Sequence, residues 1–210
     1  MIIDDSIFSF FIKKLSATSF NENFLMANNL QGSEFKKWLF YPGMLFDSDR
    51  KWWGDWRFRA SKHEGLDLAF YQDDRLKVQQ IPPISKVPAA YSGIVQTIIK
   101  DFLGWTIFLK HPQFSQSDNI FCSVYAHLKL SDQLKTNLEI KEGEILGATV
   151  TSGTKIKLTP HVHLSLGWFK KDILPEISWE KLNCRENMRL IDPLEVWDLS
   201  YDFLENKPLK

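Results

Sequence analysis

The sequence predicts a mainly β protein with minor α, built on an antiparallel β-sheet core. Five runs rich in β-branched and aromatic residues are separated by Gly, Pro, Asp and Asn. These runs are residues 66–71, 93–99, 105–109, 120–126 and 161–169. Because no helical pattern lies between neighbouring runs, antiparallel pairing is favoured over β-α-β units.

Short helical patterns and loops flank this region on both sides. We expect residues 1–55 to form an N-terminal extension that packs on a core of residues 56–170. Residues 171–210 are expected to form a C-terminal extension with short helices. In that extension Asp192 precedes Pro193, and this pair predicts a helix start, since Asp favours the N-cap and Pro the first helical position.

The composition is that of an ordinary globular protein, and it argues against two classes of function. The 210 residues include 26 basic and 26 acidic side chains, whereas nucleic-acid binders usually carry a basic excess. No segment approaches the ~20 consecutive apolar residues that a membrane span needs. The acidic start of the chain does not resemble a secretory signal. We expect a monomer.

The histidines carry the main chemical signal. In a strand, His161 and His163 would point to the same face, because residues two apart share a face. His63 and Asp67 are four apart at the start of another predicted strand, so they can share a face as well. Two imidazoles and one carboxylate, with a fourth position for water, are the ligand set of a catalytic zinc site. Ca²⁺ and Mg²⁺ prefer oxygen ligands, so the pattern favours Zn²⁺.

Five motifs follow one another in order along the predicted core. They are HEGLD at 63–67, KVPAAYSGIV at 86–95, VYAHL at 124–128, IKEGEILG at 140–147, and TSG at 151–153 followed by PHVHL at 160–164. In this order they resemble the motifs of the lysostaphin and LytM type of zinc metallopeptidase, which cleaves peptidoglycan peptides. The resemblance implies the antiparallel β-sheet fold of that family.

The resemblance also implies a role for each residue of the cluster. It implies that His63, Asp67 and His163 bind Zn²⁺, and that two further histidines act beside the metal. We expect His161 to be the base that takes a proton from the attacking water. We expect His127 to stabilise the oxyanion of the tetrahedral intermediate. The two roles could be exchanged, since both residues are imidazoles near the same intermediate.

The predicted function is therefore that of a zinc-dependent metalloendopeptidase acting on peptidoglycan cross-links or stem peptides. The alternative is a non-catalytic relative that binds peptidoglycan or activates another cell-wall hydrolase. Such relatives usually lose metal ligands, and this chain keeps all three. An unrelated cupin-like β-barrel is disfavoured, because its His-x-His pair normally precedes the other ligands. The resemblance implies the cell envelope as the compartment, although no signal sequence supports it.

Glu64 directly follows His63, as a catalytic glutamate follows a histidine in some zinc sites. In helical His-Glu-x-x-His sites the glutamate is the catalytic base. Here Gly65 interrupts any helix and a strand-like run follows, so we expect Glu64 to be structural or solvent-exposed.

Three other features are interpreted as structural. We expect His111 to be a satisfied polar residue near the surface. Cys122 lies in an apolar run and is expected to be a buried thiol. Asn28 and Asn29 could supply an extra metal ligand from the N-terminal extension, but an ordinary loop is the favoured interpretation.

Overall fold

The computed structural model describes residue 15 and residues 18–116, 118–150, 158–182, 186 and 188–205. The strands are β1 (Lys37–Phe40), β2 (Leu66–Leu68), β3 (Phe70–Gln72), β4 (Val78–Gln80), β5 (Lys86–Pro88), β6 (Gly93–Lys100), β7 (Trp105–Lys110), β8 (Asn119–Leu130), β9 (Glu139–Ile140), β10 (Ile145–Thr149), β11 (Val162–Lys170), β12 (Met188–Ile191) and β13 (Tyr201–Phe203). The helices are α1 (Phe20–Ala27), α2 (Trp179–Leu182) and α3 (Pro193–Val196). Among these residues no helix is both long and apolar enough to cross a membrane. The predicted mainly β fold with minor α is confirmed.

The larger of two sheets contains nine strands, and its pairings are antiparallel as predicted. Its main path runs β12-β11-β8-β7-β6-β9, and β10 pairs with both β5 and β8. Strand β11 has β8 along one edge, while β2 and β12 share its other edge. This arrangement places β2 and β8 on either side of His163.

A smaller sheet has the strand order β13-β1-β3-β4. Strand β13 pairs with β1 in parallel, with Trp38 opposite Tyr201. The sequence predicted helical patterns and loops where β1 and β13 lie, and it placed β3 in a single strand of the main sheet, so this second sheet was missed. The pairing joins segments that are far apart along the chain, and no local pattern in three or four residues signals such a distant partner.

The run at residues 66–71, predicted as one strand, divides into two strands that belong to different sheets. Strand β2 pairs with β11 in the larger sheet, whereas β3 pairs with β1 in the smaller one. Ala69 lies buried between them, where the chain passes from one sheet to the other.

The other predicted strands are present with shifted ends. The runs at 93–99, 105–109 and 120–126 are confirmed as β6, β7 and β8, and β8 continues to Leu130. Strand β11 begins at Val162, so His161 precedes the strand and is not part of it. Alternation along a strand therefore does not set the direction of the His161 ring, contrary to the prediction.

Helix α1 packs against the rest of the chain through its phenylalanines. Phe20 stacks on Trp197 with 4.7 Å between ring centroids, and Phe24 is fully buried. Oε1 of Glu142 accepts a hydrogen bond from the backbone N–H of Ser19 at 2.6 Å, just before the helix begins. Burial of one large apolar side chain stabilises a fold by roughly 1.5–3 kcal/mol. The boundaries of the core and the two extensions stay predictions.

Helix α3 begins as predicted. The side chain of Asp192 accepts a hydrogen bond from Leu194 N at 2.9 Å, and Pro193 is the first helical residue. The residue types at this helix start were sufficient to predict it.

Candidate metal and active site

Three side chains from distant parts of the sequence converge on one buried point. His63 Nε2 lies 3.0 Å from His163 Nδ1 and 3.2 Å from Asp67 Oδ1. His163 Nδ1 lies 2.9 Å from the same Asp67 oxygen. All three side chains are buried. The structure thus brings together the three residues that the sequence predicted as metal ligands.

The pairing of β2 with β11 produces this convergence. In that antiparallel pair Asp67 lies directly opposite His163. Gly65 permits the close approach, because a Cβ at this position would overlap the carbonyl oxygen of Leu164 on β11. His63 precedes β2, so strand alternation does not set its direction, contrary to the prediction. Its backbone N–H donates to Ser48 O and its carbonyl accepts from Asp47 N, each at 2.9 Å.

Hydrogen bonds to the outer ring nitrogens orient both imidazoles. His63 Nδ1 donates to the carbonyl of Leu45 at 2.9 Å, so in the neutral ring Nε2 carries a lone pair. His163 Nε2 lies 2.9 Å from Ser165 Oγ, which can accept its N–H and leave Nδ1 with a lone pair. Such partners fix the tautomer and direction of metal-binding histidines.

The second carboxylate oxygen of Asp67, Oδ2, has polar partners of its own. Oδ2 accepts a hydrogen bond from Trp52 Nε1 at 2.6 Å and lies 3.9 Å from an Arg59 guanidinium nitrogen. Burial raises the pKa of Asp67, but His63 and His163 outweigh this effect and hold the pKa well below its ordinary value. Asp67 is therefore ionised and offers Oδ1 to the cluster.

This donor set fits a zinc ion. Zinc bonds of about 2.0–2.1 Å in a tetrahedral site place neighbouring ligand atoms about 3.3 Å apart. The three observed distances, 2.9 to 3.2 Å, need only a slight outward adjustment. Three buried lone-pair atoms facing one another are stabilised by a shared cation. Two nitrogens and one oxygen also suit Zn²⁺ better than Ca²⁺ or Mg²⁺.

His161 lies beside the cluster with a different set of partners. Its Nδ1 donates to the carbonyl of Thr159 at 2.9 Å, which leaves Nε2 without a proton in the neutral ring. Its ring meets the edge of Trp52, with 5.2 Å between centroids. Burial lowers the pKa of His161 to about 4, so the ring is neutral near pH 7.

His127 approaches from β8 on the other side. Its ring centroid lies 5.0 Å from that of His161 and 5.9 Å from that of His163. Its Nδ1 lies 3.3 Å from Oδ1 of Asp101, whose side chain is completely buried. His127 itself has a positive φ of 65°.

These groups line a cavity of about 270 Å³. The lining comprises the five predicted site residues, two further charged residues and several apolar or aromatic side chains: His63, Asp67, His127, His161, His163, Arg59, Glu64, Trp53, Phe102, Leu158 and Trp179. Trp179 of α2 lies parallel to the His127 ring at 6.3 Å and meets the His163 ring edge-on at 5.6 Å. A short helix of the C-terminal segment thus contributes one wall of the site.

Several residues that contribute to the site were not predicted from the sequence. Trp52, Asp101 and Trp179 lie outside the motifs, and no spacing rule connects them to the histidines. Glu64 was expected to be structural or solvent-exposed, yet it is 8% exposed and lines the same cavity as His63. Glu64 precedes β2, so the alternation of side chains along that strand does not direct it away from the cavity.

His111 and Cys122, which were interpreted as structural from the sequence, are both buried in the protein interior. His111 is fully buried, not near the surface, with Nδ1 donating to Ser92 O and Nε2 2.7 Å from Ser123 Oγ. Cys122 is a buried free thiol, while Cys184 lies outside the described residues. The motif at 151–153 also lies outside them.

The side-chain amide of Asn28 makes hydrogen bonds to the backbone of β5. Its Oδ1 accepts from Lys86 N at 2.7 Å, and its Nδ2 donates to Lys86 O at 2.9 Å. Asn28 therefore ties the N-terminal extension to β5, and neither Asn28 nor Asn29 lines the cavity that holds the metal cluster.

Comparison with known proteins gives one family match. Residues 61–175, more than half of the chain, match the family described as Peptidase family M23. This range includes all five motifs. Among curated proteins none matches significantly.

Solved structures with a similar fold include three peptidase-related proteins. The catalytic domain of the antimicrobial peptidase lysostaphin from Staphylococcus simulans is 18% identical, over 72% of this chain and 86% of that one, with a TM-score of 0.42. The catalytic domain of the prophage-encoded M23 protein EnpA from Enterococcus faecalis is 22% identical, over 63% and 85%, with a TM-score of 0.39. A zinc-containing peptidase from Vibrio cholerae is 19% identical, over 63% and 37%, with a TM-score of 0.39.

Proposed function

The chain belongs to peptidase family M23, and we propose that it is a zinc-dependent metalloendopeptidase that hydrolyses peptide bonds in peptidoglycan. The convergence of His63 Nε2, Asp67 Oδ1 and His163 Nδ1 supports this proposal most directly. These atoms would hold the ion and leave a fourth position for water or substrate. When bound, zinc supplies a Lewis acid that polarises the scissile carbonyl and lowers the pKa of a bound water to about 7.

His161 is the proposed general base. Because the carbonyl of Thr159 holds the Nδ1 proton, Nε2 is left to accept the proton of the attacking water. The same nitrogen then passes that proton to the leaving amine. The lowered pKa of about 4, caused by burial, keeps the ring neutral and ready to accept near pH 7.

His127 is the proposed oxyanion-stabilising group. Its Nδ1 faces the carboxylate of Asp101, whereas Nδ1 of His161 faces the carbonyl of Thr159. In the proposed role, Nε2 at the cavity side of the ring donates a hydrogen bond to the carbonyl oxygen as it becomes tetrahedral. The different partners of the two imidazoles favour this assignment of roles over the exchanged one.

The peptidoglycan substrate is proposed from the resemblance of the five motifs. Trp53, Phe102 and Trp179 line the cavity and offer an aromatic surface against which a peptide can pack. A peptidoglycan peptide as substrate places the proposed site of action at the cell envelope.

Digestion of purified peptidoglycan from several wall types, followed by mass analysis of the products, tests this proposal. The full chain is assayed zinc-loaded, after chelation and after zinc is restored, beside Asp67→Asn. We expect peptide fragments with a hydrolysed peptide bond only from the loaded and restored wild type. Full zinc occupancy without product from any wall type would overturn the peptidase assignment and favour a non-catalytic regulator of another hydrolase.

A further inference from the structure

A β-bulge on β8 sets the position of His127. Trp105 of β7 lies opposite Leu128, and Ile107 lies opposite Tyr125, with an irregular register between the two pairs. Ala126 and His127 on β8 therefore face a single residue of β7. Such a bulge leaves a backbone group unpaired and redirects a side chain. The positive φ of His127, 65°, is uncommon for a residue with a side chain and needs support from its surroundings.

Asp101, in the turn between β6 and β7, supplies that support. Its Oδ2 accepts hydrogen bonds from the backbone N–H of His127 at 3.0 Å and from Thr106 Oγ1 at 2.8 Å. Its Oδ1 accepts from Leu103 N at 2.8 Å and from Gly104 N at 2.6 Å. Burial raises the pKa of Asp101, but the His127 and Thr106 contacts outweigh it and lower the pKa below its ordinary value. The group is thus an ionised, acceptor-only carboxylate.

The same carboxylate faces the ring of His127. Nδ1 lies 3.3 Å from Oδ1 and is buried without a regular hydrogen bond to another described residue. An anionic oxygen beside Nδ1 favours a proton on that nitrogen. Nε2 then occupies the opposite edge of a ring that lines the cavity beside His161.

We propose that Asp101 is a positioning residue that holds the bulge at His127 and fixes the direction of its ring, with Nδ1 towards the Asp101 carboxylate and Nε2 towards the cavity. Asp101 does not line the cavity, so it acts through His127 without touching substrate. The inference rests on the proposed function only where it gives His127 a role in the reaction. The contact between the two side chains does not depend on that function.

The test compares wild type with Asp101→Asn, both zinc-loaded and full length. An amide at this position replaces one acceptor oxygen by a donor, so it cannot satisfy the same four N–H and O–H groups and also favour a proton on Nδ1. Asp73→Asn is the matched control. The Asp73 carboxylate also holds a hairpin turn, accepting from Lys77 N and Gln79 Nε2 at 2.9 Å each, but it lies in the smaller sheet.

Two readouts separate positioning from a merely structural role. Long-range ¹H–¹⁵N NMR of the His127 ring, assigned with His127→Gln, is expected to show Nδ1 protonated in wild type and Asp73→Asn, and a changed ring signal in Asp101→Asn. We expect kcat to fall about 10- to 100-fold in Asp101→Asn, because a misdirected His127 ring stabilises the oxyanion of the transition state less well. KM and zinc content should be unchanged.

An unprotonated Nδ1 in the wild-type protein would overturn the proposal, even if Asp101→Asn does not fold. Unchanged His127 signals and unchanged kcat in a less stable Asp101→Asn would also overturn it and leave Asp101 a structural residue. If wild type cleaves no peptide, the proposed function fails, while the NMR comparison still decides the position of the His127 proton.

Discussion

The indole N–H of Trp52 donates a hydrogen bond to Oδ2 of Asp67 at 2.6 Å, and both side chains are buried. Because Oδ1 of the same carboxylate faces His63 and His163, this bond determines which oxygen is offered to a metal. Losing a partner of this kind typically weakens metal affinity by about 10- to 100-fold.

Trp52→Phe should therefore weaken zinc binding by about 10- to 100-fold, measured by competition with a chromophoric chelator. Trp168→Phe is the matched control, because Trp168 is also buried and donates its indole N–H to Phe114 O at 3.0 Å, outside the cavity lining. The control should lose stability and keep its zinc affinity. Wild-type zinc affinity in Trp52→Phe would show that the indole does not orient Asp67.

Gly65→Ala should disturb the metal cluster through the backbone. The added methyl group would overlap the Leu164 carbonyl, so β2 must shift away from β11 and carry Asp67 with it. We expect a loss of about 1–3 kcal/mol in unfolding free energy, as in overpacked cores, together with weaker zinc binding.

Gly54→Ala provides the contrast for this variant. Gly54 has a φ of +63°, and apart from its chain neighbours no atom lies within 4 Å of the position that an added methyl group would take, so only backbone strain of about 1–2 kcal/mol is expected. Zinc affinity should be unchanged there. Equal zinc affinity in Gly65→Ala and wild type would argue against close packing as the reason for this glycine.

His161→Ala should slow the reaction without removing the metal. Its ring lines the cavity but is not one of the three converging ligand atoms. Loss of a general base lowers kcat by about 10²- to 10⁴-fold. Initial rates on the cleaved peptidoglycan fragment check this expectation, and a wild-type kcat would remove His161 from the role of base.

The buried His111 should make stability depend on pH. Burial lowers the pKa of His111 from 6.5 to about 4. Below pH 6.5 the unfolded chain therefore binds a proton that the folded chain does not. The stabilisation is complete above pH 6.5 and is lost as the pH falls towards about 4. At about 1.4 kcal/mol for each tenfold change in proton affinity, the full loss is about 3 kcal/mol.

His111→Asn keeps a donor for the Ser92 carbonyl but does not titrate in this range. Denaturant unfolding between about pH 7.5 and about pH 4.5 should show wild type losing more stability than the variant. Parallel pH dependences would contradict the buried, neutral state of His111.

The motifs in the sequence predicted which residues would form the metal cluster, and the strand pattern predicted an antiparallel sheet. The sequence did not predict that β2 pairs with β11, which is the pairing that places Asp67 opposite His163. His161 shows the limit of this reasoning, because the strand begins one residue after it. Its neighbours Thr159 and Trp52, not strand alternation, hold its ring.

The supporting residues could not be predicted because their contacts are tertiary. Asp101 reaches His127 through a bulge that depends on the register of β7 against β8. The positive φ of His127 is equally invisible in a run of residues that favours a regular strand. The parallel pairing of β1 with β13 was missed for the same reason, since short strands at distant positions give no local signal.

Zinc content of purified wild type, His163→Ala and His161→Ala, measured by elemental analysis after equilibration with limiting Zn²⁺, tests the central claim most directly. The two histidines are two residues apart, and only His163 offers a nitrogen to the converging cluster. We expect one zinc ion per chain in wild type and in His161→Ala, and loss of the ion in His163→Ala. Equal zinc content in His163→Ala and wild type, or loss of zinc from His161→Ala alone, would contradict the assignment of His63, Asp67 and His163 as the metal ligands.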